Sequence, residues 1–255
     1  MLQVRAKIIY NKRIKGNYFH LALRTPQIAK TSLPGQFLNI KVSDGDEPLL
    51  RRPLSIHRLK GVDIELLYEV VGRATQILSE RRPGEYLSAI GPLGNGFTLS
   101  AKNRTLNILV AGGMGVAPLV FLADRLNKFG VLVLIGGKSK EPILCEKEFK
   151  QLGCVVKIAT DDGSKGFRGK ITELLGRLLL THNSPLPAIY ACGPRPMLKE
   201  ITRISKKYSI PAQVSLEEHM ACGIGACLGC VVNTKDGFKR VCKEGPVFNG
   251  DEIIW

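Results

Sequence analysis

At 255 residues the chain exceeds the usual size of a single hydrophobic core, so two or more domains are expected. Its 44% hydrophobic and 23% charged residues are those of an ordinary globular protein, and no run approaches the roughly 18 apolar residues of a membrane-spanning helix. The formal charge of +15 is carried by scattered pairs such as Arg81-Arg82 and Lys206-Lys207 without interleaved aromatic residues, which favours solvated surface and cofactor phosphates over a nucleic-acid partner.

Residues 1–10 carry Arg5 and Lys7 within a short apolar alternation and lack the apolar core of a secretion signal, from which a cytoplasmic protein is expected. From there to about Gly91, short strands are expected at 4–10, 18–23, 36–42, 54–59, 64–70 and 86–90, broken at Asn17, Pro34-Gly35, Asp44-Gly45, Gly61 and Pro83-Gly84. Six strands at this spacing point to a small antiparallel barrel. Residues 74–80 lack the alternation and follow Gly72; as a helix they would offer free first-turn amides and a positive dipole end to a phosphate. Between strands, Arg51-Arg52-Pro53-Leu54-Ser55 sets a guanidinium fork three residues ahead of a hydroxyl on a segment that proline keeps extended. The plain alternative is a basic turn before an edge strand.

A polar stretch at 99–104 marks a boundary. An apolar run at 106–111 then ends in Gly112-Gly113-Met114-Gly115 and gives way to a helical pattern at 117–129. Strand, glycine loop and helix make a phosphate-cradling unit, although the spacing is GGxGxAP and not the dinucleotide fingerprint GxGxxG. Pro118 suits the first helical turn, where its missing N–H is not needed. Strands at 131–135, 155–159 and 188–191, with helices at 171–180 and 195–208, predict a parallel sheet covered by helices. The last of these strands runs into Cys192-Gly193-Pro194, placing a cysteine and a glycine where α/β sheets hold their ligands; a plain buried thiol is the alternative. Cys145 and Cys154 have no partner motif and read as packing.

The last unit contains Cys222, Cys227 and Cys230 separated by glycines, with Cys242 further on, in the spacing of plant-type [2Fe-2S] proteins. Four thiolates must converge on two irons while backbone amides approach the sulfurs, and Gly223, Gly225 and Gly229 remove side chains that would block that approach. A structural zinc site usually takes two separated CxxC pairs, and only Cys227 and Cys230 make one. Disulfides require an oxidising compartment, against which the odd count of seven cysteines speaks. Asp236-Gly237 signals a hairpin that brings Cys242 back beside Cys230. At 45 residues this unit is too small for a large core and would be stapled by its cluster.

The RPLS segment resembles the RxxS signature of the ferredoxin-reductase-type FAD domain. That resemblance puts Arg52 on the flavin pyrophosphate and Ser55 near flavin N5, with Pro53 and Leu54 between them. It also makes Leu67, Tyr68 and Glu69, and the helix start at Ala74-Thr75, the other flavin contacts, and it sets Cys192 and Gly193 beside the nicotinamide. With MACGIGACLGCVV and VCKEGPVF included, the whole chain resembles the electron-transfer subunits of NAD-dependent bacterial dihydroorotate dehydrogenases. One departure is Gly72-Arg73-Ala74-Thr75, which has Arg and Ala where glycine is often found. The resemblance implies a multidomain chain: an antiparallel β-barrel FAD domain at 1–100, an α/β parallel-sheet NAD domain at 101–210 that uses Gly112, Gly113 and Gly115, and a small [2Fe-2S] domain at 211–255. It further implies catalytic roles for Ser55 and Cys192, and an FMN-containing dihydroorotate dehydrogenase catalytic subunit as partner in a two-plus-two heterotetramer.

A nicotinamide exchanges two electrons at once and a [2Fe-2S] cluster one, so FAD would stand between them. The chain shows no eightfold βα pattern and no second flavin domain, so dihydroorotate oxidation would fall to the partner. After the second strand of the nucleotide domain come Lys138 and Lys140 without an arginine, read as favouring NAD over its 2′-phosphorylated form. Two other readings share these features: a reductase subunit of a hydrogenase, sulfide dehydrogenase or ferredoxin:NAD(P) oxidoreductase complex, and a zinc-stabilised nucleotide-binding module without catalysis.

Overall fold

Residues 1–99, 106–126, 130–181 and 187–255 are described by a computed structural model. The N-terminal strands close on themselves because each alternates apolar with polar side chains, which turns one face of every strand into a shared interior. β1 (Leu2–Lys15), β2 (Tyr18–Arg24), β3 (Phe37–Lys41), β4 (Arg52–Lys60), β5 (Asp63–Glu69) and β6 (Tyr86–Leu93) form an antiparallel barrel in the order β1-β2-β5-β4-β3-β6, with β6 paired back onto β1. Leu21, Leu23, Leu38, Ile40, Ile56, Ile64 and Leu66 fill it and are inaccessible to solvent. The six expected strands are all present. β1 outruns its expectation at the C-terminal end because residues 11–15, polar except for the exposed Ile14, pair with β2 as a ribbon where no apolar alternation is needed. A short helix, α1 (Pro26–Ala29), and the expected one, α2 (Arg73–Glu80), interrupt the strand sequence.

Next come β7 (Asn107–Gly112), α3 (Val116–Leu126), β8 (Val131–Gly137), α4 (Glu146–Gln151), β9 (Val155–Thr160), β10 (Phe167–Arg168), α5 (Ile171–Thr181), β11 (Ala188–Cys192), α6 (Arg195–Tyr208) and β12 (Ala212–Ser215). A hairpin of β13 (Val231–Thr234) and β14 (Gly237–Arg240) precedes β15 (Val247–Asn249). The sheet runs β10-β9-β8-β7-β11-β12-β15, parallel except at β15, which lies antiparallel to β12. Strand order reverses between β7 and β11, and at such a switch point the loops leaving adjacent strands diverge and open a crevice.

The expected boundary at 100/101 and the last residues of the expected helix at 117–129 lie outside the described residues. After Pro211, β12 completes the parallel sheet and β15 extends it. Val232, Val241, Phe248 and Ile253 are buried in the same cluster as Ile108, Val110, Leu132 and Leu134 of the sheet, so the cysteine-bearing segment shares a core and does not build its own. α4, β10 and β15 were not expected; elements of six, two and three residues are too short to show a period.

The barrel and sheet are joined through α3. Its Phe121 is buried among barrel residues, while Leu119, Val120 and Leu122 pack against the sheet. Conversely, Leu67 of the barrel belongs to the sheet-side core.

Candidate redox site

A cleft of about 590 Å³ opens where the barrel, the first turn of α3 and the segment after β12 meet. The barrel contributes Arg52, Pro53, Leu54 and Ser55 from β4, Leu67, Tyr68 and Glu69 from β5, and Thr75 from α2, so eight residues singled out from the sequence share one wall system. The two arginines separate in role. Arg51 turns inward and donates to the Ser88 carbonyl at 2.9 Å and to Ser88 Oγ at 2.9 Å, spending its fork on barrel strands, and burial pulls its guanidinium down from the ordinary arginine value. Arg52 lines the cleft, its Nη1 donating to the Leu50 carbonyl at 2.7 Å. Tyr68 is wall and not a polar handle. Its ring is only 2% exposed and stacks on Phe19, its hydroxyl donates to Asn11 Oδ1 at 3.0 Å, and burial pushes that phenol well above its ordinary value.

Thr75 Oγ1 accepts from the amides of Val71 and Gly72 at 2.9 and 3.2 Å, closing the entry to α2 and leaving the amides of the first turn facing outward without intrahelical partners. Ala74 is buried beneath the helix and does not line the cleft.

The glycine loop after β7 and the turn after β11 meet at the switch point. A Cβ on Gly115 would sit 2.1 Å from the Cys192 carbonyl oxygen, and one on Gly193 would sit 2.9 Å from the Gly112 nitrogen. Those glycines are required by backbone packed on backbone. Gly113 differs: its φ of +54° favours glycine, and the direction of its missing side chain is open space, as a cradle for a ligand's phosphate needs. Cys192 is 1% exposed within the sheet-side core, does not line the cleft, and is held protonated by burial and by the nearby Glu217. The structure thus brings Ser55 to the cleft and keeps the Cys192 thiol behind it.

The segment Ser215, Leu216, Glu217, Glu218, His219 and Met220 forms the opposite wall with Pro246 and, at the foot, Met114 and Ala117. Sequence reasoning missed Ser215, Leu216, Glu217, Glu218 and His219; they carry no motif, and their only signal is position, between the last parallel strand and the first cluster cysteine. Burial raises the Glu217 carboxyl above the usual range, and Arg195 ties down Glu218 at 3.0 Å. Met220 and Cys222 are two residue steps apart, at most about 7 Å of chain, so the cleft adjoins the cysteine loop.

In that loop the amides of Ile224, Ala226 and Cys227 donate to Cys222 Sγ at 3.5, 3.3 and 3.4 Å, and the Cys242 amide donates to Cys230 Sγ at 3.4 Å. The Cys222 thiol, against a burial effect that pushes it up, is brought down to about 6 by those amides and by Cys227. Burial, then the hydrogen bond with Cys230, pushes Cys242 up to about 12. The thiols pair as Cys222 with Cys227 and Cys230 with Cys242, and no three of the four sulfurs lie within 4.8 Å of one another. A single tetrahedral zinc would bring all four within roughly 4 Å; two pairs spread apart fit two irons. Gly223 and Gly225 have φ of +69° and +86°, and a Cβ on Gly223 would strike Asn39 Nδ2 at 2.4 Å. Asn39, on β3, donates to the Cys222 carbonyl at 3.0 Å and so ties the loop to the barrel. Lys239 and Arg240 are held by Glu252 and Glu244, while Ile224 and Leu228 stand 41% and 60% exposed on the loop.

Barrel, switch-point sheet and four-cysteine loop define an iron–sulfur oxidoreductase subunit of the ferredoxin-reductase type. Residues 217–254 match the iron-sulfur cluster binding domain of dihydroorotate dehydrogenase B, and residues 109–203 match an oxidoreductase NAD-binding domain. The chain is 42% identical to the dihydroorotate dehydrogenase B (NAD(+)) electron transfer subunit of Desulforamulus reducens, across 98% of this chain and 97% of that protein, and 40% identical to the one from a Geobacillus species, across 100% and 99%. It belongs to the family of dihydroorotate dehydrogenase B (NAD(+)) electron transfer subunits. Among solved structures, one of an NADH-dependent reduced ferredoxin-NADP oxidoreductase superposes with a TM-score of 0.87 at 29% identity, over 99% of this chain and 90% of that one. A ferredoxin NADP+ reductase from Neisseria gonorrhoeae, at 17% identity and TM-score 0.67 over 81% and 91%, shares the fold.

Asn39→Ala removes the tether between barrel and cysteine loop, a hydrogen bond worth about 1 kcal/mol. Iron loss to a chelator should run roughly fivefold faster than in the unsubstituted protein; an unchanged rate would show that the tether does not hold the loop.

Proposed function

We propose that the chain carries electrons between NAD and a catalytic subunit that oxidises dihydroorotate, using FAD in the cleft and a [2Fe-2S] cluster on Cys222, Cys227, Cys230 and Cys242. The observation that supports it most is the composition of the cleft: the RPLS segment, the first turn of α3 and the residues leading to the cluster loop all line one space. Bound there, FAD supplies the exchange between two-electron and one-electron chemistry.

Arg52 offers its guanidinium to the pyrophosphate, with Pro53 and Leu54 holding the strand extended, and the first-turn amides at Ala74 and Thr75 add neutral donors. Ser55 presents a hydroxyl toward the reactive edge of the ring, and Leu67, Tyr68 and Glu69 form the wall that excludes water. Gly113 leaves bare backbone for the dinucleotide, and Gly112, Gly115 and Gly193 let the two turns pack closely enough to present it. Cys192 supports this surface from behind, since its buried thiol has no path to the ring. Cys222 and Cys227 hold one iron, Cys230 and Cys242 the other.

The partner is an FMN-containing dihydroorotate dehydrogenase catalytic subunit in a two-plus-two heterotetramer, in the cytoplasm. Among the described residues no helix is long and apolar enough to cross a membrane. The exposed Ile224 and Leu228 give the cluster loop an apolar face for that partner. The likeness to the ferredoxin-NADP oxidoreductase keeps a different complex as the competing reading. Pull-down from native cells separates them: a dihydroorotate dehydrogenase subunit in equal amount supports this function, and a ferredoxin-linked or hydrogenase subunit in its place transfers the chain to the other.

Replacing any of Cys222, Cys227, Cys230 or Cys242 with Ser should bleach the cluster absorption, while Cys154→Ser leaves it intact; a retained cluster in any of the four would remove that ligand from the set. Arg52→Ala should weaken FAD binding by about 1.5 to 3 kcal/mol, read by fluorescence titration of apoprotein. The isolated chain should reduce artificial acceptors with NADH in preference to NADPH and leave dihydroorotate untouched; dihydroorotate turnover without a partner would overturn the division of labour.

A further inference from the structure

One group of metal-ligating side chains lies away from the cleft and the cysteine loop. His57 on β4 is fully buried, its Nδ1 is 3.0 Å from the Ala117 carbonyl of α3, and its Nε2 is 3.0 Å from Glu148 Oε2 on α4. A carbonyl only accepts, so Nδ1 carries the proton and the second nitrogen is the one turned to the carboxylate. Cys145 caps α4 in the left-handed conformation, φ +61°, and three residues later Glu148 shares its face of the helix. One ligand atom from each of His57, Cys145 and Glu148 falls within 4.8 Å of the others.

We propose that His57, Cys145 and Glu148 form a mononuclear site for a borderline divalent cation such as Zn2+, which clamps the barrel to the nucleotide-binding sheet. Four observations carry this. Ligand atoms around a tetrahedral zinc stand roughly 3.3 to 3.8 Å apart, and here the three lie within 4.8 Å of one another, with His57 Nε2 and Glu148 Oε2 3.0 Å apart. Nitrogen, sulfur and oxygen donors together suit borderline cations and discriminate against Mg2+ and Ca2+. A thiolate and a carboxylate neutralise the double charge beside the buried imidazole. The carbonyl behind Nδ1 is the partner that metal-bound imidazoles usually have, fixing tautomer and ring orientation. The Glu148 side chain is 30% exposed, which leaves a route for the ion and a fourth position for water. Without a cation the same 3.0 Å contact is a plain ion pair that needs a proton on Nε2.

The ligands come from two bodies, His57 from the barrel and Cys145 and Glu148 from the sheet domain, so the ion would hold the two halves of the cofactor cleft in register. Its location is independent of the cluster, whose cysteines are all in the C-terminal segment.

The test uses the purified protein with flavin and cluster in place, dialysed against Zn2+ and analysed for metals, together with zinc-edge X-ray absorption. One zinc per chain should be retained with the cluster iron undiminished, and its nearest shell should show a single sulfur at about 2.3 Å with nitrogen and oxygen at about 2.0 to 2.2 Å. Cys145→Ser and Glu148→Gln should each weaken zinc binding roughly tenfold or more while keeping iron and flavin. Glu148→Gln, on a partly exposed helix, decides the matter if the cysteine variant fails to fold. Absence of retained zinc, equal retention by Glu148→Gln, or zinc gained only as iron is lost would each overturn the proposal and leave His57 and Glu148 as an ion pair between domains.

Discussion

Phe121 is buried among barrel residues while its neighbours Leu119, Val120 and Leu122 pack in the core on the sheet, so helix α3 is packed on both sides and cannot shift without opening one core or the other. Its first turn is the foot of the cleft, and the loop before it is the glycine turn that rests on the backbone of Cys192 and Gly193. The separation of the barrel wall and the sheet wall of the cleft is therefore set by apolar packing. Electron and hydride transfer both fall steeply with separation, and a rigid shared helix is a physical means of holding it.

The cysteine loop obeys a different constraint. Its sulfurs are approached by four amide groups, and it rests on Asn39 of the barrel at one end and on the sheet core through Val241 and Cys242 at the other. Amide donors lower the cost of negative sulfur, yet burial still pushes the Cys242 thiol up. Folding of the segment and assembly of its cluster are thus coupled, although the shared core means that the metal is not its sole support.

Much of the site could be read before the fold. The cysteine spacing and its glycines marked the cluster because four convergent sulfurs impose a pattern that little else produces, and Asp236-Gly237 announced the hairpin that returns Cys242, where the turn is Lys235-Asp236 and Gly237 opens β14 at a φ of +97° that favours glycine. The six strands of the barrel and the α/β alternation were legible for the same reason: periods of two and of 3.6 are local consequences of burying one face.

What the sequence could not decide was every matter that depends on which distant segments touch. RRPLS contains two arginines, and only the packing of Ser88 beneath β4 shows that Arg51 is structural and Arg52 faces the cleft. Cys192 stands at a strand end, where ligands gather, but the neighbouring strands bury its thiol. Residues 215–219 carry no motif, and they become a wall of the cleft because β12 completes a sheet whose switch point lies across from the barrel. Residue type and spacing determined which chemistry the chain can carry, because bonding geometry is local; the assignment of individual side chains to that chemistry waited on burial and long-range contact, which no short window of sequence contains.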